Sequence, residues 1–180
     1  MSLPIVTERL LIREHLLTDI DTVHMHCSDP EVVKYMPWGP NEIKETKNFI
    51  NRIVSCQNQP NRTCYELAVT KKDDNLLIGG VCLYVDNFQD KKAWLGYRFH
   101  KDYWGKGYAT ESTKAIIIYG FRDLKLHRIQ AKCDVLNNAS SKVLEKCGLL
   151  KEGYLREECW QKGRWRDSFL YSILESEYCK

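Results

Sequence analysis

The chain has 180 residues, 43% of them hydrophobic and 28% charged, with 10 Gly and 5 Pro. These proportions exclude a disordered or collagen-like chain, and the length suits a single domain over 1–180 with one core. A formal net charge of +3, with 27 basic residues interspersed among 24 acidic ones, offers no clustered basic face and so predicts no nucleic-acid partner.

Residues 9–13 (RLLIR) read as a short strand, followed by a helix from Thr18 or Asp19 to about Ser28 that Asp29 and Pro30 end. Beyond the turn-like Pro37, Trp38, Gly39, Pro40, a cap at Asn41 opens a second helix with Ile43, Lys47, Ile50 and Val54 on one stripe. Three strand-like segments, 64–70, 76–85 and 93–99, are separated by polar turns and form an antiparallel meander. Gly79, Gly80 and Gly96 interrupt them, which marks a bulge or a close approach to the backbone. A helix over 107–122 carries Ala109, Ile116, Ile117, Gly120 and Phe121 on one side. In the strand 127–134, Ile129, Ala131 and Cys133 alternate with Arg128, Gln130, Lys132 and Asp134. Asn137 or Asn138 caps a helix with Ala139, Val143, Leu144 and Cys147 on its apolar stripe, ended by Gly148. Strands over 153–160 and 165–174, joined at Lys162 and Gly163, close the chain as a hairpin. The order predicts an α/β domain with a mixed sheet of about seven strands. The segments 93–99, 107–122 and 127–134 make a right-handed βαβ crossover with parallel strands.

The eight cysteines, Cys27, Cys56, Cys64, Cys82, Cys133, Cys147, Cys159 and Cys179, form no CxxC pair, which is the pattern of free thiols and not of a zinc site. His24, Met25, His26 and Cys27 lack a second ligand pair, so no metal is expected. No run approaches the ~18 apolar residues of a membrane span and no signal-type core opens the chain, so no membrane partner and a reduced, cytoplasmic protein are expected.

The chemistry begins between the crossover's first strand and its helix, at Trp104, Gly105, Lys106, Gly107, Tyr108, Ala109 and Thr110. Glycines at 105 and 107 permit unusual backbone angles, so that main-chain N–H groups face outward at a helix start, where the dipole favours a phosphate. The string has no GK[ST] and no third glycine, so neither a P-loop nor a dinucleotide fold is supported, and taken alone it also fits a tight connection.

The blocks TERLLIR (7–13), LGYRFHKDYWGKGYATES (95–112), HRIQAKCDVLNNASSKVLEKCG (127–148) and EGYLRE (152–157), in this order, resemble the GNAT superfamily of N-acetyltransferases, and within it the ribosomal-protein N-terminal (alanine) branch. The resemblance implies a single GNAT-type domain in which the two parallel strands splay apart. It also implies an acetyl-CoA-dependent transfer to a primary amine, a protein N-terminus or alternatively a small amine such as an amino acid, polyamine or antibiotic. A non-catalytic acyl-CoA-binding module is the rival from another class, and a homodimer is compatible with the fold. In the family the pantetheine arm lies in the splay. Here that implies contacts to the backbone of Tyr97, Arg98 and Phe99, a pyrophosphate cradle at Gly105, Lys106, Gly107, Tyr108, Ala109 and Thr110, and a contact from Asn137.

Acetyl transfer requires a base for the amine and a proton donor for the leaving thiolate. Many family members carry a donor Tyr where this chain has Leu144, which cannot donate. Ser140, in the NxAS context of the ribosomal branch, is the acid that the resemblance implies, local helix hydrogen bonding being its other reading. The branch position of the base falls on Cys159, with Glu157 and Glu158 just before it. Strict alternation places Glu157 on the face of Cys159 and ranks it above Glu158, which reaches that face only through a bulge. His100 is a further titratable candidate.

Overall fold

The computed structural model describes residues 3–178; Cys179 lies outside them. One eight-stranded sheet runs in the order β1-β2-β3-β4-β5-β6-β8-β7. Its strands are β1 (Ile5–Val6), β2 (Leu10–Glu14), β3 (Cys64–Lys71), β4 (Leu77–Asn87), β5 (Lys92–Phe99), β6 (Arg128–Asp134), β7 (Leu150–Gln161) and β8 (Arg164–Leu174). The helices are α1 (Ile20–Cys27), α2 (Ile43–Cys56), α3 (Tyr108–Arg122), α4 (Asn138–Lys146) and the short α5 (Glu175–Tyr178). The strand beyond the seven expected is the two-residue β1, too short to leave a periodic signal.

Both faces of the sheet are covered. Leu67, Val69, Val81 and Leu83 meet Ile116, Ile117 and Leu144 in the larger core, and a smaller one joins Val23 and Cys27 of α1 to Ile50 and Ile53 of α2 above Ala68 and Leu77. The buried stripe of α2 is Thr46, Ile50 and Ile53, while Ile43 is exposed, a rotation of the expected stripe. This helix is opened by Glu42, whose N–H donates to Glu45 Oε2 at 2.7 Å, and not by Asn41. Gly79 answers the close-approach expectation, since a Cβ there would lie 2.4 Å from the Arg98 carbonyl.

Parallel pairing of β5 with β6 is confined to Lys92↔Arg128, Ala93↔Ile129 and Trp94↔Gln130. Beyond these pairs β5 stays bound to β4 through Gly79↔Phe99, and β6 stays bound to β8 through Asp134↔Ser168. Each strand therefore keeps its outer neighbour while the two part from one another, which opens a wedge in the middle of the sheet.

Candidate active site

A cavity of about 730 Å³ occupies the wedge. It is lined by Leu95, Gly96 and Tyr97 of β5 and by Ala131, Lys132 and Cys133 of β6. Consecutive strand residues point to opposite faces, so the cavity is bordered by side chains of both faces of the sheet at the splay.

On the α3/α4 side, Tyr97 and Ser140 meet. Asn137 caps α4 by accepting the Ser140 N–H at 3.1 Å, which fixes the first turn. The Tyr97 hydroxyl then lies 2.8 Å from Ser140 Oγ and 3.1 Å from the Ser140 carbonyl. Burial pushes the Tyr97 pKa above its ordinary value, with the Ser140 hydrogen bond opposing, so the phenol is neutral. Leu144 lines the cavity and is 1% exposed, an apolar wall where a donor is absent. Tyr97 thus brings a side-chain hydroxyl to the site, a role that its reading as a backbone contact overlooked; its alternation with Gly96 and Arg98 in β5 was the available signal.

On the α1/α2 side the cavity is polar and aromatic, with Trp38, Phe49, Tyr84 and Trp94 among its walls. Its carboxylates are unequally engaged. Asp134 Oδ2 accepts Arg164 Nη2 at 2.8 Å and Arg166 Nε at 2.7 Å, and its Oδ1 accepts the Leu136 N–H at 2.8 Å. Glu66 is 5% exposed and accepts from Arg98 Nη1 at 3.1 Å and from the Tyr84 hydroxyl. Burial would raise the Glu66 pKa, but the Arg98 charge and the two hydrogen bonds hold it below the ordinary carboxylate value. Glu158 is paired with Lys132 alone, and Lys132 sits 4.9 Å over the Trp94 ring.

The facing of the two glutamates reverses the sequence reading. Between Leu155↔Ser168 and Cys159↔Arg166, β7 spends three residues opposite the single Asp167 of β8. Within this bulge Glu157 takes φ +46° and its N–H donates to Asp167 Oδ1 at 2.8 Å. Glu157 therefore lines only a second recess, with Tyr154 and Asp167, whereas Glu158 borders both that recess and the central cavity, which Cys159 also lines. Simple alternation fails because the bulge shifts the phase.

The cradle loop leads from β5 into α3. Gly105 and Gly107 have φ +73° and +83°, the left-handed region that favours glycine. The first carbonyl of α3 to be used is that of Gly107, which takes the Glu111 N–H at 3.0 Å, so the N–H groups of Tyr108, Ala109 and Thr110 lie in the open first turn. Arg9 braces the loop by donating to the Lys106 carbonyl at 3.0 Å and pairing with Glu111 at 2.7 Å. Trp104 donates its indole N–H to the Phe99 carbonyl at 2.8 Å. His100 Nδ1 accepts the Asp102 N–H and faces His26, away from the wedge lining. No group of three metal-ligating side chains occurs among the described residues, and no helix is long and apolar enough to cross a membrane.

The roof comes from elsewhere in the chain. Tyr35, Met36, Pro37, Trp38 and Asn41 of the segment before α2 line the cavity, and Lys162 at the β7–β8 turn donates to the Val33 carbonyl at 2.5 Å. The segment before α2 and the β7–β8 turn are thus joined over the site.

The model of the acetyltransferase (GNAT) domain matches residues 9–150. The chain is 36% identical over 175 residues to the uncharacterized N-acetyltransferase YnaD of Bacillus subtilis, covering 97% of this chain and 98% of that protein. Over 105 residues it is 33% identical to the putative ribosomal N-acetyltransferase YdaF of Bacillus subtilis, 58% of this chain and 57% of that one. The structure of spermidine N-acetyltransferase from Vibrio cholerae in complex with CoA and spermine superimposes with a TM-score of 0.85 at 25% identity, covering 97% of this chain and 100% of that one. With a splayed parallel pair, a glycine loop at the α3 start and a family match over most of its length, the chain belongs to the GNAT family of N-acetyltransferases.

Proposed function

We propose that the chain acetylates the primary amine of a peptide N-terminus, with acetyl-CoA as donor and direct transfer in a ternary complex. The observation that carries this reading is the cavity bordered by both sheet faces at the wedge, with a hydroxyl pair on one side and an available carboxylate on the other. The residues fit the donor: the open N–H groups of Tyr108, Ala109 and Thr110 suit a pyrophosphate, and the unpaired edge of β5 suits the amide arm.

Glu158 takes the proton of the acceptor amine: Asp134 and Glu66 have both oxygens engaged, Glu45 is held by the Glu42 N–H in the cap of α2, and the Lys132 partner of Glu158 leaves its second oxygen open to the amine. The amine nitrogen forms the C–N bond to the acetyl carbonyl carbon as the C–S bond breaks. Ser140 Oγ, held by Tyr97, donates to the departing thiolate. The proton gained by Glu158 balances the one delivered through Ser140, so an amide and the CoA thiol leave and the starting protonation returns by exchange with water.

The choice of acceptor rests on charge. Among the described lining residues, the carboxylates Glu45, Glu66, Asp134 and Glu158 are matched by the cations Arg52, Arg98, Lys132 and Arg166. A polyamine, cationic along its length, calls for a negative site; a peptide N-terminus brings charge only at its reacting amine. The spermine-bound relative supports the polyamine as the second reading. CoA release measured with N-terminal peptides and with spermidine separates the two, and an acetylated peptide identified by mass is the expected product.

A further inference from the structure

Arg98 is 7% exposed and lines the cavity at its α1/α2 end. Its Nη1 is spent on Glu66, but its Nη2 has no hydrogen-bond partner. The guanidinium lies 5.0 Å from the Phe49 ring centroid, and a Cβ at Gly80 would come within 3.2 Å of its Cζ, so Gly80 leaves room beside the charged group. The nearby groups do not satisfy this donor. The Cys27 thiol is within hydrogen-bonding reach of the guanidinium, but burial raises its pKa and a neutral thiol accepts only weakly. His15 and His26 are buried beyond; His15 Nδ1 lies 3.5 Å from Asp19 Oδ2, and neither ring accepts a hydrogen bond from Arg98. Glu66 cannot turn to a second cation, since Tyr84 and Arg98 occupy its two oxygens.

A buried charged donor left with no better acceptor than a thiol is costly, and a cavity wall is a place where a ligand can supply a stronger one. We infer that Arg98 is a specificity residue whose free N–H receives an oxygen carried by the acceptor amine. The class so selected is the aminoacyl amine, through a peptide carbonyl or an amino-acid carboxylate. A polyamine offers only N–H donors and positive charge to Arg98. This inference rests on the acetyl transfer proposed above and adds a residue that discriminates among amines.

The test is kcat/KM with acetyl-CoA for alanyl-alanine amide, its analogue with the first carbonyl reduced to methylene, free alanine and spermidine. The wild type is expected to favour the amide over the reduced analogue by roughly tenfold or more. Arg98→Lys, which keeps the charge and its pairing with Glu66 but loses the planar fork, should bring that ratio towards one while the acetyl-CoA thermal shift persists. An Arg98→Lys loss of the same factor for both acceptors would mean that Arg98 serves only Glu66 or an internal water, and would overturn the inference. A wild-type ratio near one overturns it with no variant needed. Alanine against the amide separates a carboxylate source from a carbonyl source. If no amine releases CoA, acetyl transfer itself fails; if all do so equally, only the role of Arg98 fails.

Discussion

The Tyr97 hydroxyl and Ser140 Oγ stand 2.8 Å apart, one carried by a strand at the wedge and the other by the capped first turn of α4. Neither is ionised at neutral pH, so the pair acts as hydrogen-bond donors to a developing thiolate. Ser140→Ala should lower kcat by ~10² with little change in acetyl-CoA affinity. Tyr97→Phe should lower it by ~10, and the double variant should be no worse than Ser140→Ala, because the two hydroxyls act as a unit. Full additivity in steady-state rates would separate them.

Glu158→Gln should depress the rate at neutral pH far more than Glu157→Gln, since only Glu158 lines the cavity. Partial recovery at high pH, as the amine deprotonates unaided, identifies the lost function as that of a base. Cys159→Ser should be mild, since serine is nearly isosteric with cysteine and keeps the cavity wall intact.

Much of this site was legible in the sequence. The glycine loop, the β5–α3–β6 crossover and the Asn137 cap follow from local rules, because turns, crossovers and caps are decided by neighbouring residues. The facing of Glu157 and Glu158 was not, since a three-residue bulge opposite Asp167 is set by β8, a partner strand that alternation within β7 does not see. Arg98 was read only for its backbone. Its pairing with Glu66 spans 32 positions and depends on β3, β4 and β5 aligning in the sheet.

Gly107→Val should abolish most of the stabilisation by acetyl-CoA, which for the wild type is ~2.7 kcal/mol at a hundredfold excess over the dissociation constant. The φ of +83° disfavours a branched residue, and a Cβ would lie 3.3 Å from Arg9 Nη2, disturbing the brace of the loop. Differential scanning with and without acetyl-CoA reads the shift. A folded variant that keeps the whole shift would remove the cradle from this loop.

Stability should fall on acidification below about pH 6.5. Burial first, then the charges of Arg98, His100 and His15, lower the His26 pKa from 6.5 to about 3, and burial lowers that of His15 as well. Between those values the unfolded chain binds a proton that folded His26 refuses, so the stabilisation is complete above 6.5 and is lost as pH falls towards about 3. Each histidine contributes at most ~1.4 kcal/mol per pH unit. His26→Leu should make the denaturation midpoint less dependent on pH between 6.5 and about 3, the range over which His26 titrates only in the unfolded chain, while the His15 contribution persists.

Direct transfer through the wedge is tested by mixing the enzyme with one equivalent of acetyl-CoA, first without an acceptor and then with an N-terminal peptide. Cys27, Cys82, Cys133 and Cys159 line the cavity, so a covalent acetyl-enzyme is the concrete competitor. Direct attack predicts no CoA burst and no acetyl mass on the protein until the peptide is added, then one CoA and one acetylated peptide together. A stoichiometric burst of CoA without acceptor, with an acetyl group found on one of these cysteines, would contradict it.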